Sequence, residues 1–385
     1  MKRFIKRNKY KLVSILFILI VFNIKFISGV NLKNQPKTKS IIIKQLNYLE
    51  YELKNDNLGV RMQSVFPEGF VFINALYGLT WCELAINYNL DTDLNEKAFE
   101  EAKFAYNQID SEYGKAIFDN EMQLEYGAFY TGWKNYLLSK ILSFHSTSSQ
   151  DSLQFINTCN AISSAINENE SPFLESYPGA SWPADIFLGI ASLKIHDNII
   201  ESKYESTIET WVSKVKLHLD PYTGLVPHSV DAFSGEVVEG ARGCSISLIV
   251  RLLLEIDYNF AYEQFEIYKK YFSISRLGVP AIREYPKGKE GRGDIDSGPV
   301  ILKVGFAGTI VSIGVFKSFG EFKTANKTSK AMESFGMSYS IKKRKRYVFG
   351  MLPIADAFIA WSRVSPVVNE KIENELLPPK SSNVN

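Results

Sequence analysis

Long apolar segments alternate with shorter amphipathic ones along most of the chain. Segments such as FVFINALYGLTWCELAI and ISLIVRLLLEI are apolar around most of a helical circumference, which is typical of helices buried on nearly all sides. Segments such as NEKAFEEAKFAYNQI carry a single apolar face and fit helices on the outside of a fold. No segment alternates with period two beyond a few residues, so the pattern predicts an all-α protein.

Twelve helices follow from this periodicity and from the residues that interrupt it. The predicted helices span 39–54, 68–89, 94–110, 124–145, 150–167, 182–197, 203–219, 241–256, 258–273, 298–319, 321–335 and 350–364.

The more apolar helices recur at a nearly fixed interval. They begin near residues 68, 124, 182, 241, 298 and 350, and a repeat of this kind predicts a repeat architecture. Six inner and six outer helices that close on themselves form an (α/α)6 toroid, in which helix 39–54 is the outer partner of the last inner helix. The long links that return to each inner helix then meet at one mouth, where the N-termini of the inner helices favour anions.

The N-terminus predicts export. A basic stretch, MKRFIKRNKYK, precedes an apolar stretch of eleven residues, Leu12–Phe22, interrupted only by Ser14. This order is typical of a secretory signal, and the stretch is shorter than the roughly 20 residues of a full bilayer span. We interpret residues 1–29 as a cleaved signal peptide or an uncleaved anchor, with the rest periplasmic, extracellular or facing outward from the inner membrane. Residues 30–38 are then an exposed lead-in, 39–368 the helical domain and 369–385 a disordered tail.

Composition excludes several classes of protein. The chain has 44 basic and 42 acidic residues, and this balance gives no reason to expect nucleic-acid binding. Its three cysteines form no disulfide framework or CxxC site. The motifs GxSxG, GxxxxGK[ST], HExxH and GxGxxG are absent, which argues against a serine hydrolase, a nucleotide loop and a zincin. We expect no metal and no cofactor, and the oligomeric state stays open.

Carboxylates in the predicted mouth loops are the strongest chemical signal. Asp185 falls in the first turn of an inner helix, where it either stabilises the helix dipole or acts in catalysis. Asp294 and Asp296 would point the same way from an extended segment, and two close carboxylates raise one pKa, which can supply a general acid. Asp296 is alternatively the N-cap of the helix that follows, so we assign the catalytic part to Asp294.

Other polar residues of the same loops complete the candidate site. Glu239 precedes Arg242 by three residues, and a buried pair of this kind holds the glutamate ionised, as a base or as an ion-pair partner. His228 either moves protons near pH 7 or is structural in its proline-bounded turn. Cys244 at the start of an inner helix, beside Arg242, is expected to have a lowered pKa, and we count it with Asp296 among the candidate substrate-binding residues.

Aromatic residues are dense in these loops. Flat apolar rings with polar tips suit either a sugar ring or an isoprenoid chain, or they cap the core. The candidate substrate wall is Tyr126, Tyr177, Trp182 and Tyr285.

The runs YPGASWPADIFLGIASLKIHD, HLDPYTGLVPHSVDAFSGEVVEGARGC and GRGDIDSG resemble parts of the linalool dehydratase/isomerase family of exported bacterial (α/α)6-barrel proteins. The resemblance covers about residues 120–365. It implies a site at the barrel mouth and cofactor-free acid–base removal or addition of water with allylic isomerisation. Ala128, Ser176 and Asp185 stand where the family's enzyme has a histidine and two cysteines, so linalool itself is not implied as the substrate.

Three functions are compatible with these observations. The leading one is an exported or membrane-tethered lyase or isomerase in which Asp185 and Asp294 transfer protons, His228 assists, and Glu239 and Arg242 position the substrate. The second is a glycoside hydrolase or polysaccharide-processing enzyme that uses paired carboxylates. The third is a non-catalytic binding protein of the envelope. The expected partners are a small molecule or a sugar, and a membrane if the N-terminal segment is retained.

Overall fold

The computed structural model describes residues 9–146 and 148–367. Within these ranges the chain is mostly helical, with fifteen α-helices and eight short strands, which confirms the all-α class. The basic residues 1–8 and the predicted tail 369–385 lie outside the described residues.

The helices account for all twelve predicted segments and add three more. They are α1 (Lys9–Ser28), α2 (Gln35–Asn55), α3 (Leu58–Gln63), α4 (Gly69–Asn87), α5 (Thr92–Ile109), α6 (Glu112–Lys115), α7 (Gly127–Phe144), α8 (Ser149–Glu168), α9 (Pro183–Ile199), α10 (Glu205–Leu217), α11 (Gly243–Ile256), α12 (Tyr258–Phe272), α13 (Phe306–Ser318), α14 (Phe322–Phe335) and α15 (Pro353–Val364).

Apart from α1, the six most apolar helices contact one another in sequence. Helix α4 packs on α7, α7 on α9, α9 on α11, α11 on α13 and α13 on α15, and α15 returns to contact α4. Helices α5, α8, α10, α12, α14 and α2 pack against α4, α7, α9, α11, α13 and α15 in that order. Each of the six apolar helices therefore contacts two others of the set and packs against one amphipathic helix.

Four antiparallel hairpins occupy links between an outer helix and the next inner helix. Their strands are β1 (Ser229–Val230), β2 (Val237–Glu239), β3 (Ser273–Arg276), β4 (Val279–Ile282), β5 (Val300–Ile301), β6 (Val304–Gly305), β7 (Tyr339–Ile341) and β8 (Arg344–Arg346). Strands this short add no sheet layer, so they leave the fold class unchanged.

One predicted helix start is wrong by eight residues. Helix α13 begins at Phe306 and not near 298, because β5 and β6 form a hairpin in the apolar segment before it. The two turn residues, Leu302 and Lys303, have φ of 53° and 71°, the left-handed pair that a two-residue turn requires.

Charged side chains are also buried towards the C-terminal ends of α4 and α11, away from the long links. Arg251 of α11 donates from Nη2 to Oε2 of Glu83 at 2.5 Å, and its guanidinium lies 3.5 Å from the ring centroid of Trp361. Trp361 also donates to Glu83 at 3.0 Å. The buried charges of α4 and α11 are therefore paired with each other, as burial requires.

Six of the nine residues 30–38 are exposed, and the other three are held in the helical body. Val30, Leu32 and Thr38 are buried, and α2 already begins at Gln35, capped by Asn34. The backbone nitrogen of Leu32 donates to Asn326 of α14 at 2.7 Å. Among the described helices, α4 has the length and apolar composition to cross a membrane, and 83% of its apolar window is buried inside the protein.

Candidate functional site

Arg242 is the centre of a group of charged residues at the start of α11. It is almost fully buried, and its Nε donates to Oε1 of Glu284 at 2.8 Å. Its Nη2 donates to Oδ1 of Asp294 at 2.9 Å, and its Nη1 contacts the second oxygen of the same carboxylate. The guanidinium is thus held by two carboxylates, one of them in the bidentate geometry that arginine favours.

Gly243 explains why these groups can meet. A Cβ at this position would lie 2.0 Å from the carbonyl oxygen of Arg283, so only glycine allows the approach of the two backbones. The backbone nitrogen of Gly243 donates to the carbonyl of Glu284 at 2.8 Å. This contact fixes Glu284 beside the first turn of α11.

Glu284 was not among the predicted site residues. Its side chain is fully buried, and burial raises its pKa to about 7 although the charge of Arg242 opposes the shift. It is the closest carboxylate to Arg242 Nε, a position that the sequence analysis gave to Glu239. A signal existed in the sequence, since Arg242 needs a counter-charge when buried and the loop after β4 contains several acids.

Cys244 differs from the expectation of a reactive thiolate. Its Sγ donates to Oε1 of Glu284 at 3.1 Å, and burial together with that carboxylate raises the pKa of the thiol well above its usual value. Arg242 acts in the expected direction but is outweighed. The thiol is therefore a hydrogen-bond donor in this environment.

His228 lies between Arg242 and the first turn of α11. Burial and the charge of Arg242 lower its pKa to about 4, so the ring is neutral at pH 7. Its Nε2 accepts from Arg242 Nη1 at 3.3 Å, and its Nδ1 contacts the hydroxyl of Ser245. His228 therefore accepts a hydrogen bond that orients Arg242, which favours the structural alternative, and its pKa of about 4 argues against proton transfer near pH 7.

Asp294 is held in the ionised state. Burial alone would raise its pKa, but the hydrogen bond from Arg242 and a backbone hydrogen bond from Ser297 lower the pKa to about 2. Oδ1 also accepts from the backbone nitrogen of Asp296 at 3.1 Å. A pKa this low favours a fixed negative charge at Asp294 over the proton-transferring part that the sequence suggested for it.

Asp296 is the acid of the pair that can hold a proton. Burial, the neighbouring charge of Asp294 and the more distant charge of Glu68 raise its pKa to about 6. Its carboxylate is partly open to solvent. It does not cap the next helix, since that helix begins ten residues later at Phe306.

Asp185 joins the same site from the first turn of α9. Its carboxylate is buried and accepts from the hydroxyl of Ser176 at 2.6 Å. Burial raises its pKa to about 7, Ser176 opposes the shift, and the charges of Asp296 and Glu68 add to it. Asp185 and Asp296 are therefore two carboxyl groups with raised pKa values, and the charge of Asp296 acts on Asp185.

Glu239 sits at the edge of this group. Its Oε1 lies 3.7 Å from Arg242 Nε and its Oε2 lies 3.9 Å from His228 Nε2, with the side chain 43% exposed. Burial raises its pKa although Arg242 opposes the shift. Glu239 is a secondary partner of Arg242, and Glu284 and Asp294 are the primary ones.

The residues described above, without Glu239 and Cys244, are named together below. We call Asp185, His228, Arg242, Glu284, Asp294 and Asp296 the acid cluster.

Two of the four predicted aromatic residues line the side of the acid cluster nearest α4. The hydroxyl of Tyr177 donates to Oε1 of Glu68 at 2.7 Å, and its ring meets that of Trp182 edge to face at 5.7 Å. The ring of Tyr177 also stacks on Phe129, which continues into the core through Phe72. The wall beside Asp185 is therefore apolar and aromatic.

The other two predicted aromatic residues serve different places. Tyr285 lies under Arg242, with 5.4 Å from its ring centroid to the guanidinium carbon, and its hydroxyl accepts from the backbone nitrogen of Gly293 at 3.2 Å. Tyr126 instead lines a groove of about 540 Å³ beside α7 and α8, with Tyr130 and Gln154. That groove shares no residue with the acid cluster.

A metal site is the alternative use of three of these residues. His228, Asp294 and Asp296 each offer one ligand atom, and these atoms lie within 4.8 Å of one another. Arg242 contacts both His228 and Asp294, so its charge opposes a cation in the same place. The donor set fits an arginine-centred ion cluster better than a metal centre.

Comparison with known proteins adds no relative. No family model matches the chain, and no curated protein is significantly similar to it. The function therefore has to be argued from the geometry of the acid cluster.

Proposed function

We propose that the six apolar helices, each in contact with two others of the set, and their amphipathic partners form an (α/α)6 toroid with the acid cluster at its mouth. The closed order of contacts from α4 round to α15 supports this arrangement. Asp185 and Arg242 lie at the N-terminal ends of α9 and α11, whereas the buried pair of Glu83 and Arg251 lies towards the opposite ends of their helices.

We further propose that the protein is an enzyme that performs acid–base chemistry of the lyase or isomerase type on a small substrate. The observation that carries this proposal is the pair of carboxyl groups, Asp185 and Asp296, whose pKa values are raised to about 7 and about 6. A general acid or base works best when its pKa is near the working pH. Such shifts are concentrated at functional sites, although ion clusters also produce them.

The surroundings of the two carboxyl groups suit them to different roles in proton transfer. Asp185, with the higher pKa and the aromatic wall of Tyr177 and Trp182 beside it, would protonate a leaving hydroxyl group. Asp296, ionised more readily and open to solvent, would accept the proton removed from carbon, so that water and an alkene are formed. The reverse transfer adds water, and Asp294 with Arg242 keeps a fixed charge beside the reacting groups.

The resemblance to the linalool dehydratase/isomerase family supports the same location. Two of the positions matched to that family's reactive residues, Ser176 and Asp185, are joined here by a hydrogen bond of 2.6 Å. A carboxyl and a hydroxyl in place of two thiols keep a proton donor at this point but change its acidity. An alcohol of similar apolar character, with a different reacting group, is therefore the substrate class we propose.

A glycoside hydrolase is the second candidate. Oxygen atoms of Asp294 and Asp296 lie within 4.8 Å of each other, which is nearer to the roughly 5–5.5 Å of retaining enzymes than to the roughly 6.5–9.5 Å of inverting ones. One of these acids is protonatable and the other is ionised, as that mechanism requires. The two-point contact of Asp294 with Arg242 reduces its freedom to act as a nucleophile, so this candidate ranks second.

One labelling experiment separates these functions. The full chain is incubated in water labelled with deuterium and heavy oxygen, with a panel of short isoprenoid alcohols and a panel of oligosaccharides, and the products are analysed by mass spectrometry. Loss of water or uptake of deuterium into carbon supports a lyase or isomerase. Heavy oxygen at a new reducing end supports a hydrolase.

Matched variants connect the product to the acid cluster. Asp185→Asn and Asp296→Asn should each lower turnover by about 10²–10⁴-fold, the usual contribution of a general acid or base. Asp93→Asn, an exposed first-turn aspartate of α5, should leave turnover unchanged. Product formation that survives both variants would contradict the assignment, and binding of a ligand with no conversion would favour a non-catalytic envelope protein.

Export or membrane tethering also remains our proposal. It rests on the basic stretch before Leu12 and on the apolar sequence of α1. A fusion of alkaline phosphatase after residue 367 should be active in cells if the domain is outside the cytoplasm. An inactive fusion that is stably produced would contradict export.

A further inference from the structure

The second half of α1 is packed against α14 in the opposite chain direction. The ring of Phe22 meets that of Phe335 edge to face at 4.9 Å, and the hydroxyl of Ser334 donates to the carbonyl of Phe22 at 3.1 Å. Gly29, just after α1, lies against Lys330, which precedes Ser334 by about one turn of α14. The two helices are therefore antiparallel, and the N-terminal part of α1 points beyond the C-terminal end of α14.

The first half of α1 consequently extends beyond the body of the protein. From Phe22 back to Lys9 the helix rises about 20 Å, at about 1.5 Å per residue. Phe17, Leu19 and Ile20 in this part are 65%, 52% and 49% exposed. Apolar side chains this exposed to water forgo several kcal/mol of hydrophobic stabilisation. A lipid or protein surface that covers them would therefore stabilise the helix.

The surface beside the base of this projection has the same apolar character. The segment 335–352, which we call the rim segment, leads from the end of α14 to the start of α15. Its exposed large apolar residues are Phe335, Met337, Ile341, Phe349, Met351 and Leu352. Val348 and Phe349 have positive φ, a costly conformation for such residues, and Phe349 is left 64% exposed.

The rim segment is also strictly basic. It contains Lys342, Lys343, Arg344, Lys345 and Arg346 and no acidic residue, and the next acid along the chain is the buried Asp356. Lys345 is paired internally with Glu333, and Arg344 lies over the ring of Tyr51. Lys342 and Lys343 form the exposed turn of the β7–β8 hairpin.

We propose that the first half of α1 and the rim segment together form a docking surface for a bilayer that contains anionic phospholipid. Basic side chains interleaved with exposed apolar ones match the two layers of such a surface, the charged headgroups and the acyl boundary. The rim segment ends at the first turn of α15. If the helices form the toroid proposed above, the docked protein therefore holds its mouth next to the bilayer, where an apolar substrate would arrive.

The turn of β7–β8 offers a test that spares the fold. Lys342 and Lys343 have φ of 48° and 64°, so Lys342→Asn/Lys343→Gly places the preferred residues of a two-residue turn there and removes two charges. The matched control is Lys323→Gln/Lys327→Gln, which removes two exposed charges at the other end of α14. Thermal melts establish that both variants are folded.

Binding of the full chain is measured by flotation with vesicles of phosphatidylcholine alone and of phosphatidylcholine with phosphatidylglycerol. We expect stronger binding to the anionic vesicles, about 30-fold weaker binding of the turn variant to them, and no change for the control. Phe349→Ser/Met351→Ser should weaken binding to both vesicle types.

Equal binding of all the variants to both vesicle types would overturn the proposal, as would failure of the full chain to float. Self-association that the turn variant abolishes, without flotation, would assign the surface to a second copy of the chain and also overturn it. The assay needs no substrate, and Asp185→Asn should bind vesicles normally. The membrane-docking proposal can therefore be tested even if the enzymatic proposal fails.

Discussion

Replacing Asp185 by asparagine should flatten the dependence of stability on pH. Asp185 is buried, and burial together with the charges of Asp296 and Glu68 raises its pKa from 3.8 to about 7. A carboxyl group with a raised folded-state pKa stabilises the protein fully below its unfolded pKa, and this stabilisation is lost as the pH rises towards the folded pKa. The window of change for Asp185 is therefore from about pH 4 to about pH 7.

The size of the effect follows from the shift. Raising the pKa of Asp185 from 3.8 to about 7 corresponds to about 4 kcal/mol. This is an upper limit, because Asp296 titrates in the same pH range. Unfolding of 385 residues at about 2.1 cal/mol/K per residue has an entropy of about 0.8 kcal/mol/K. A change of about 4 kcal/mol thus moves the Tm by about 5 °C.

The assay is thermal unfolding by scanning fluorimetry between pH 4 and pH 8. Asparagine has nearly the shape of aspartate and can still accept from Ser176, so the variant should fold. Its Tm should fall by about 5 °C less than that of the natural protein between pH 4 and pH 7. Asp93→Asn on α5 should follow the natural protein at every pH. An Asp185→Asn curve parallel to that of the natural protein would refute the reasoning.

Three further changes test the surroundings of Arg242. Arg242→Met leaves the buried Glu284 without its counter-charge, so it should lower the free energy of unfolding in urea by about 3–5 kcal/mol at pH 8. The loss should be smaller at pH 5, where Glu284 binds a proton, and an equal loss at both pH values would contradict the pairing. Gly243→Ala places a Cβ against the carbonyl of Arg283 and should cost about 1–3 kcal/mol, whereas an unchanged urea midpoint would mean that the backbones can separate. Cys244, whose pKa is raised by burial and by Glu284, should react with iodoacetamide at pH 8 at least tenfold more slowly in the folded protein than in urea, and similar rates would show that it is a thiolate.

The all-α class and the positions of the helices were largely predictable, because burial on all sides gives a helix an apolar sequence around its whole circumference. Helices such as α4 and α13 are apolar around their whole circumference, and their partners carry a single apolar face. The mistakes fall where an apolar segment is too short for its period to be read. The hairpin before α13 turns at Leu302 and Lys303, neither of which is a glycine or an asparagine, so no turn residue indicated it.

The candidate site was predictable as a set of residues but not as a set of charges. The sequence indicated Asp185, Asp294 and Asp296 as site residues. In the structure Asp294 pairs with Arg242, Asp296 lies beside Asp294, and the charge of Asp296 acts on Asp185. Which acid holds the proton depends on which one the arginine contacts, and that is a property of three-dimensional packing. Glu284 was missed for the same reason, since it lies 42 residues after Arg242 and meets it only through the close approach at Gly243.

The most direct test of the central claim is the titration of the two carboxyl groups themselves. Carbon-13 NMR of protein labelled at the aspartate carboxyl carbons, with Asp185→Asn and Asp296→Asn to assign the signals, gives both pKa values. We predict values near 7 for Asp185 and near 6 for Asp296, with the pKa of Asp185 falling when Asp296 is replaced. Two independent titrations near 4, unaffected by either replacement, would contradict the proposed acid–base pair.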